Sequence, residues 1–455
     1  MMTTNLAFLS NELMDVVRLF EGAEALFIEH AVAYEEDVFH NQFTVEGKTY
    51  CFSDYAPAPS QLAYKSLCKR YAKLSLYKIL SERFEKRLPW GALTGIRPTR
   101  LAYAELEHGM PFEPLLADMG VSEENLSLLT RVIEGQKGIY EKKEGNCDLF
   151  VSLPFCPTKC VYCSFITAPI SATRKYLDDY LTALEKELSA LPPIRNLRSV
   201  YVGGGTPFAL TEGELERVLK AISAVRKNDC EFTVEAGRPD VFTEEKLRLC
   251  KGYGVTRICI NAQSFSNKTL ERIGRKHTAE QVEEAFEMAK PYGFSINCDL
   301  IAGLTDESVE EFCNSVDKAI SLHPQNITVH TLCLKKGARL KEEVSSLSGD
   351  MLGEMIAYSR KRLTEAGYEP YYLYRQKYMA GAHENVGWTK KGYASVYNVD
   401  IMEEIADNLA VGGNAVSKKV FLGEGRIERI GSPKDIPTYI EKVDALIKEK
   451  QSLFK

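Results

Sequence analysis

Three cysteines stand within eight residues in Leu153-Pro154-Phe155-Cys156-Pro157-Thr158-Lys159-Cys160-Val161-Tyr162-Cys163. Thiolates so spaced can let one loop wrap one face of an iron–sulfur cubane and hold three of its irons, leaving the fourth open. A structural zinc site is the rival use of such thiols, but it wants a fourth Cys or a His at short spacing. The chain has twelve cysteines in 455 residues. Disulfide frameworks belong to short secreted chains, so a reducing cytoplasm suits this one better. Cys259 and Cys298, set in apolar strand-like runs, read as core residues.

Other residue groups could serve the same site. In Val202-Gly203-Gly204-Gly205-Thr206-Pro207, glycines after a strand allow close backbone approach to a ligand. Alone, the run would equally suit a strand-to-helix turn. Polar residues recur in Thr233-Val234-Glu235-Ala236-Gly237-Arg238-Pro239-Asp240, in Ile260-Asn261-Ala262-Gln263-Ser264-Phe265, in Ile273-Gly274-Arg275-Lys276-His277-Thr278 and in Cys298-Asp299. Singly, each charge reads as a solvated surface group, and His277 and His330 read as hydrogen-bonded structural groups. Their joint placement at strand ends argues for a site.

The elements that must position these residues show as β-rich runs alternating with helical stretches from Asp148 onward, the pattern of βα units around a parallel sheet. Strands are expected at 148–153, 198–203, 230–235, 256–262, 294–301 and 326–332. Leu177, Leu181, Leu184 and Leu188 repeat at helical spacing between the first two. Six units fall short of a closed eightfold barrel. The expected fold is therefore α/β, an incomplete (β/α)6 barrel over 147–335, with an N-terminal α+β extension (1–146) and a C-terminal accessory domain (336–455) that closes or extends it. The extension should hold a hairpin around Glu46-Gly47, a helix over about 61–87, Pro/Gly punctuation to Pro98, and a helix over about 122–143.

The Cys-x-x-x-Cys-x-x-Cys spacing, with Tyr162 before the last Cys, resembles the radical S-adenosylmethionine (SAM) superfamily. That resemblance implies a [4Fe-4S] cluster on Cys156, Cys160 and Cys163, SAM on the open iron, and reductive cleavage of SAM to methionine and a 5′-deoxyadenosyl radical. The polar set resembles the branch holding the oxygen-independent coproporphyrinogen III oxidases (HemN), the heme chaperones (HemW) and HemZ. Carried across residue by residue, it assigns Gly204, Gly205, Thr206, Glu235, Gln263, Arg275 and Asp299 to SAM, and extends the set to Phe150, Tyr162 and Val416. Val416 lies in Gly412-Gly413-Asn414-Ala415-Val416-Ser417, similar to a Gly-x-x-Ala-x-Ser segment of the family.

Leu88-Pro89-Trp90-Gly91 through Arg100, Val234-Glu235-Ala236-Gly237-Arg238-Pro239-Asp240, Tyr372 to Lys377 and Glu384 to Gly387 look like the HemZ members. They imply oxidative decarboxylation of two propionates of coproporphyrinogen III to vinyls, giving protoporphyrinogen IX. The implied partners are a tetrapyrrole, a one-electron donor such as flavodoxin or ferredoxin, and an electron acceptor of unknown identity. A heme chaperone like HemW, or another tetrapyrrole-acting radical SAM enzyme, is the alternative. HemN-type oxidases have Tyr and His where this chain has Phe150 and Ser152, and a further Cys where it has Phe165.

Composition narrows the partners. Hydrophobic content of 45% and charged content of 26% are ordinary for a globular chain. There is no apolar run long enough to span a bilayer. A net charge of −6 argues against bulk nucleic-acid affinity. Ten Lys/Arg against Glu82 and Glu85 between Ser60 and Arg100 form a local basic excess. Lys65, Lys69, Arg70, Lys73, Arg97 and Arg100 could dock substrate carboxylates, with Trp90 as an apolar wall, or simply form a solvated face.

Overall fold

The computed structural model describes residues 1–94, 97–163, 168–227, 229–333, 349–375 and 380–455. Gly95-Ile96 of the leader motif, Phe165, the boundary expected at 335/336 and Gln376-Lys377 lie outside them. The chain falls into two units, Met1–Thr130 with Tyr374–Glu384, and Arg131–Leu373 with Asn385–Lys455.

In the first unit, strands β1 (Met2–Thr4), β2 (Ile28–Glu35), β3 (Val38–Val45) and β4 (Lys48–Tyr55) form one sheet in that order. The alternating burial of β2 and β3 turns Ile28, Val32, Phe39 and Phe43 into core. Two-residue turns join the hairpins, with both φ values positive at Glu36-Asp37 (50° and 62°) and at Glu46-Gly47 (50° and 79°). Such turns match the strand twist. Only the second is legible in the sequence, through its glycine.

Helix Gln61–Arg83 starts where Ser60 Oγ accepts from Ala63 N at 3.1 Å. It stops short of 87, and Glu85 beyond it turns left-handed at φ 49°. Lys69 and Lys73 pair with Glu12 at 2.9 and 3.3 Å, so these two cations of the basic stretch serve the fold.

Trp90 is fully buried in this unit. Its Nε1 donates to Glu384 at 2.7 Å, and the Arg375 guanidinium lies 5.5 Å from its ring centroid. Trp90 is thus sealed in the unit, with no face left to serve as the expected wall of a substrate site. Trp90→Phe should cost roughly 1–3 kcal/mol by stripping the indole donor from a buried carboxylate, and urea unfolding would measure it.

The second unit carries the parallel strands β5 (Asn146–Leu153), β8 (Asn196–Gly204), β9 (Glu231–Gly237), β10 (Arg257–Gln263), β11 (Ser295–Ala302) and β12 (Asn326–Thr331), which neighbour one another in chain order. Between β5 and β8, the short strands β6 (Phe155–Cys156) and β7 (Ala168–Pro169) pair in parallel. β5 and β10 are buried along most of their length, and their middles are the apolar runs Leu149-Phe150-Val151 and Ile258-Cys259-Ile260. The connecting helices start at Ser/Thr caps: Thr211 with Glu214, Thr278 with Gln281 and Ser308 with Glu311 each close a capping box. Helix Leu177–Ser189 buries the expected Leu177, Leu181, Leu184 and Leu188. Helix Glu123–Gly135 is shorter than expected and is followed by Gly138 at φ 85°.

The rest of the tail adds β13 (Glu369–Tyr374), β14 (Asn385–Thr389), β15 (Asp407–Val411), β16 (Val416–Phe421) and β17 (Arg426–Gly431). The sheet runs β13-β14-β12-β11-β10-β9-β8-β5-β15-β16-β17. β15 lies parallel beside β5, while β14 pairs antiparallel with β12. The six-stranded core is therefore an open, barrel-like sheet, and the tail extends it at both edges, covering strand edges that would otherwise be unpaired.

Candidate functional site

Parallel strands leave their carboxyl ends on one side, and the nominated residues other than Phe150 and Val416 lie towards that side. The cysteine loop leaves β5 after Leu153. Cys160 is buried, and Cys156 and Cys163 are half-buried. Cys163 N donates to Cys160 O at 3.2 Å. The loop is tied to its surroundings between the thiols: Val161 N donates to Ile273 O at 3.1 Å, and Thr158 Oγ1 to Gly274 O at 3.4 Å. Arg238, itself bidentate to Asp240 at 2.9 and 2.7 Å, also donates to Thr158 Oγ1. Among the described residues no three His, Cys, Asp or Glu side chains converge closely enough to hold one metal ion. The ligand role of the three thiols therefore rests on their spacing along one loop.

The glycine run after β8 fits against this loop. Thr206 N donates to Phe155 O at 2.7 Å, and its Oγ1 donates to Cys156 Sγ at 3.7 Å. A Cβ on Gly205 would lie 2.4 Å from Phe155 O, so any side chain there would push the two loops apart. Gly204 has φ 96°, which a side-chain-bearing residue adopts only under strain.

Glu235 on β9 accepts from Tyr201 Oη at 2.5 Å. Burial pushes its carboxyl up to about 7; the Tyr201 hydrogen bond opposes this, Asp299 adds to it, and His330 opposes it. On β11, Asp299 lies 3.8 Å from His330 Nε2. Gln263 ends β10 just past a register shift, with φ 68°, an unusual value for a residue with a side chain. Its Oε1, together with Asn261 Oδ1 and Arg275 Nε, is buried without a hydrogen-bond partner. Arg275 Nη1 donates to Asn261 O at 2.5 Å. Burial works against the Arg275 cation, but neighbouring Tyr162 and Cys160 favour it. Burial also raises the Tyr162 phenol, and Arg275 opposes that. Nearby His277 is pushed down to about 3, by burial and then by Arg275.

The nominated residues thus fall into groups: Cys156 with Thr206 and Gly205, Cys160 with Tyr162 and Arg275, and Glu235 with Asp299. Phe150 is half-buried in the middle of β5, its ring centroid 6.2 Å from Tyr201 and 6.3 Å from Tyr397. Val416 stands apart. It begins β16 opposite Gly431 and is 42% exposed. The turn before it does reach the cysteine strand, since Ser152 Oγ donates to Gly413 O at 2.7 Å.

Sequence reasoning missed Tyr201 and Tyr397, whose rings stack at 4.3 Å and 21°. Tyr201 could have been found, because it lies two residues before Gly203 on the same strand face. Tyr397 follows Ser395 in a segment with no such signal.

Residues 150–319 match the profile of the Radical SAM superfamily. Over 390 residues the chain is 36% identical to the oxygen-independent coproporphyrinogen-III oxidase-like protein HemZ of Bacillus subtilis, covering 79% of this chain and 76% of that protein. It is 28% identical to the heme chaperone HemW of Bacillus subtilis, covering 65% and 88%. Among solved structures, the coproporphyrinogen III oxidase HemN from Escherichia coli, described as a radical SAM enzyme, aligns with a TM-score of 0.54 at 20% identity, over 71% of this chain and 73% of that one. At that identity the likeness is one of fold.

Proposed function

Because the chain belongs to the HemZ family of radical SAM proteins, we propose that it decarboxylates coproporphyrinogen III oxidatively, without oxygen, to protoporphyrinogen IX. Cys156, Cys160 and Cys163 would hold a [4Fe-4S] cluster, and Glu235, Gln263, Arg275 and Asp299 would hold SAM. The observation that carries this reading is the unsatisfied polarity beside the cysteine loop: buried Gln263 Oε1, Asn261 Oδ1 and Arg275 Nε lack partners, as atoms awaiting a polar ligand would.

When bound and reduced, the cluster and SAM supply a carbon radical able to take a hydrogen atom from a propionate. Each propionate then gives up that hydrogen, CO2 and one electron to become a vinyl. A flavodoxin or ferredoxin would supply electrons for SAM cleavage, and a separate acceptor would take those released. The chain's own part is placement. Gly204 and Gly205 bring backbone close to the ligand, Arg275 offers a cation to its carboxylate, and Glu235 and Asp299 offer acceptors to hydroxyls. Among the described residues no helix is long and apolar enough to cross a membrane, which is compatible with the cytoplasmic setting proposed here.

Anaerobic incubation of the reconstituted protein with SAM, a low-potential reductant and coproporphyrinogen III, with mass detection of the porphyrin, tests the activity. Loss of two CO2 per substrate is expected. Stable heme binding without turnover would favour the chaperone reading, for which the HemW similarity is the support. Asp299→Ala and Gln263→Ala should retain the cluster yet each weaken SAM binding by about 1–3 kcal/mol. The SAM-induced change in the reduced cluster's magnetic resonance spectrum reads this, and wild-type titrations in both variants would refute the assignment.

A further inference from the structure

We propose that Tyr201 and Gly203, neither of them among the nominated SAM contacts, form a slot that positions the Glu235 carboxylate for SAM. The proposal rests on the SAM site just assigned and extends it one layer inward.

Tyr201 and Gly203 are two apart on β8, so they face the same side of the sheet. Tyr201 donates its only hydroxyl proton to Glu235 Oε1 at 2.5 Å. Gly203 meets the other oxygen: a Cβ there would lie 2.8 Å from Glu235 Oε2 and 3.0 Å from Tyr201 Cε1. One residue thus binds the carboxylate, and the missing side chain of the other gives it room.

The Tyr201 ring is itself braced. It stacks on Tyr397 at 4.3 Å and lies 6.2 Å from Phe150 at 27°. Helix Val396–Glu403, which carries Tyr397, is in turn fixed by Glu231, whose carboxylate accepts from Ser395 Oγ at 2.7 Å and from Val396 N at 3.1 Å. A line of support therefore runs from Glu231 through Tyr397 and Tyr201 to Glu235.

The slot also bears on charge. The groups that act on Glu235 are Tyr201 from β8, Asp299 from β11 and His330 from β12, with Cys259 of β10 and Tyr397 also close enough to interact. Asp299 opposes ionisation of Glu235, whereas the Tyr201 hydrogen bond favours the ionised form that can accept from two hydroxyls. Without that donor Glu235 would keep its proton to higher pH.

The test is SAM affinity against pH, measured by calorimetry on anaerobically reconstituted wild type, Tyr201→Phe and Gly203→Ala. Wild-type binding should weaken as pH falls through about 7. Tyr201→Phe should bind about tenfold more weakly near neutrality, with its midpoint moved to higher pH than wild type. Comparing the two proteins removes the titration of SAM itself. Gly203→Ala should lose affinity with Tyr201 intact, and both variants should keep wild-type iron content. An unchanged midpoint in Tyr201→Phe, even with a uniform loss of affinity, would overturn the proposal, as would wild-type affinity in Gly203→Ala. Wild type that holds the cluster but fails to bind SAM at any pH would overturn the underlying site as well, which separates the two failures.

Discussion

Replacing Cys156, Cys160 or Cys163 by Ala, one at a time, is expected to leave the anaerobically reconstituted protein without its [4Fe-4S] cluster, while Cys259→Ala keeps it. Each of the three would supply one of only three protein thiolates, so losing one leaves two irons held where three are needed. Cys156 and Cys163 are half-buried and Cys160 is buried on a loop tied down by Arg238, Ile273 and Gly274, so all three thiols stay on one anchored segment for the cluster to gather. Cys259 differs in kind. It is 3% exposed on β10, and burial first, then Glu235 and Asp299, hold its thiol well above the usual range. A thiol that stays protonated is no ligand. Iron and sulfide content, with the visible absorption of the reconstituted protein, decide the matter. A wild-type cluster in any of the first three variants would remove the ligand assignment.

The parts of this site that could be read in the sequence are those fixed by local pattern. The six core strands are legible to within a few residues because their buried middles are short apolar runs bounded by turn residues. The Cys and Gly motifs were legible because their chemistry depends on neighbours along the chain.

What stayed hidden depends on partners far away in sequence. Asp407–Val411 pairs in parallel with Cys147–Val151, and nothing in either segment names the other. The Gly- and Pro-rich surroundings of Trp90 suggest a loop that could line a substrate site; a carboxylate 294 residues on makes it core. Tyr201 is in sequence one aromatic residue of a strand; Glu235 of the next strand, accepting from its hydroxyl, gives it a role. In each case local sequence specified the element, and a nonlocal side-chain partner specified the role.

Lys450→Met is expected to destabilise the second unit by roughly 3–5 kcal/mol, the cost of leaving a buried charge without its partner. Glu187 on helix Leu177–Ser189 and Lys450 on helix Ile436–Leu453 are both buried. Lys450 Nζ donates to Glu187 Oε1 and to Ala410 O, each at 2.5 Å. Glu187 Oε2 accepts from Tyr439 Oη at 2.7 Å and from Gly412 N at 2.8 Å. One ion pair thus joins the first barrel helix, the C-terminal helix and the end of β15. Methionine fills the space of the lysine stem, so packing alone predicts a small loss, and the electrostatic term sets the large one. Adding Glu187→Gln to Lys450→Met removes the stranded charge and should recover part of the stability, a coupling that two independent sites would not show. The effect should also reach the cysteine strand, because a Cβ on Gly412 would lie 2.5 Å from Ser152 O, so the turn has no slack to move without disturbing β5 just before Cys156. Urea unfolding of wild type, both single variants and the double variant measures the cycle. A loss below about 1 kcal/mol in Lys450→Met, the range of an exposed pair, would show that the pair does not hold the tail strand to the barrel.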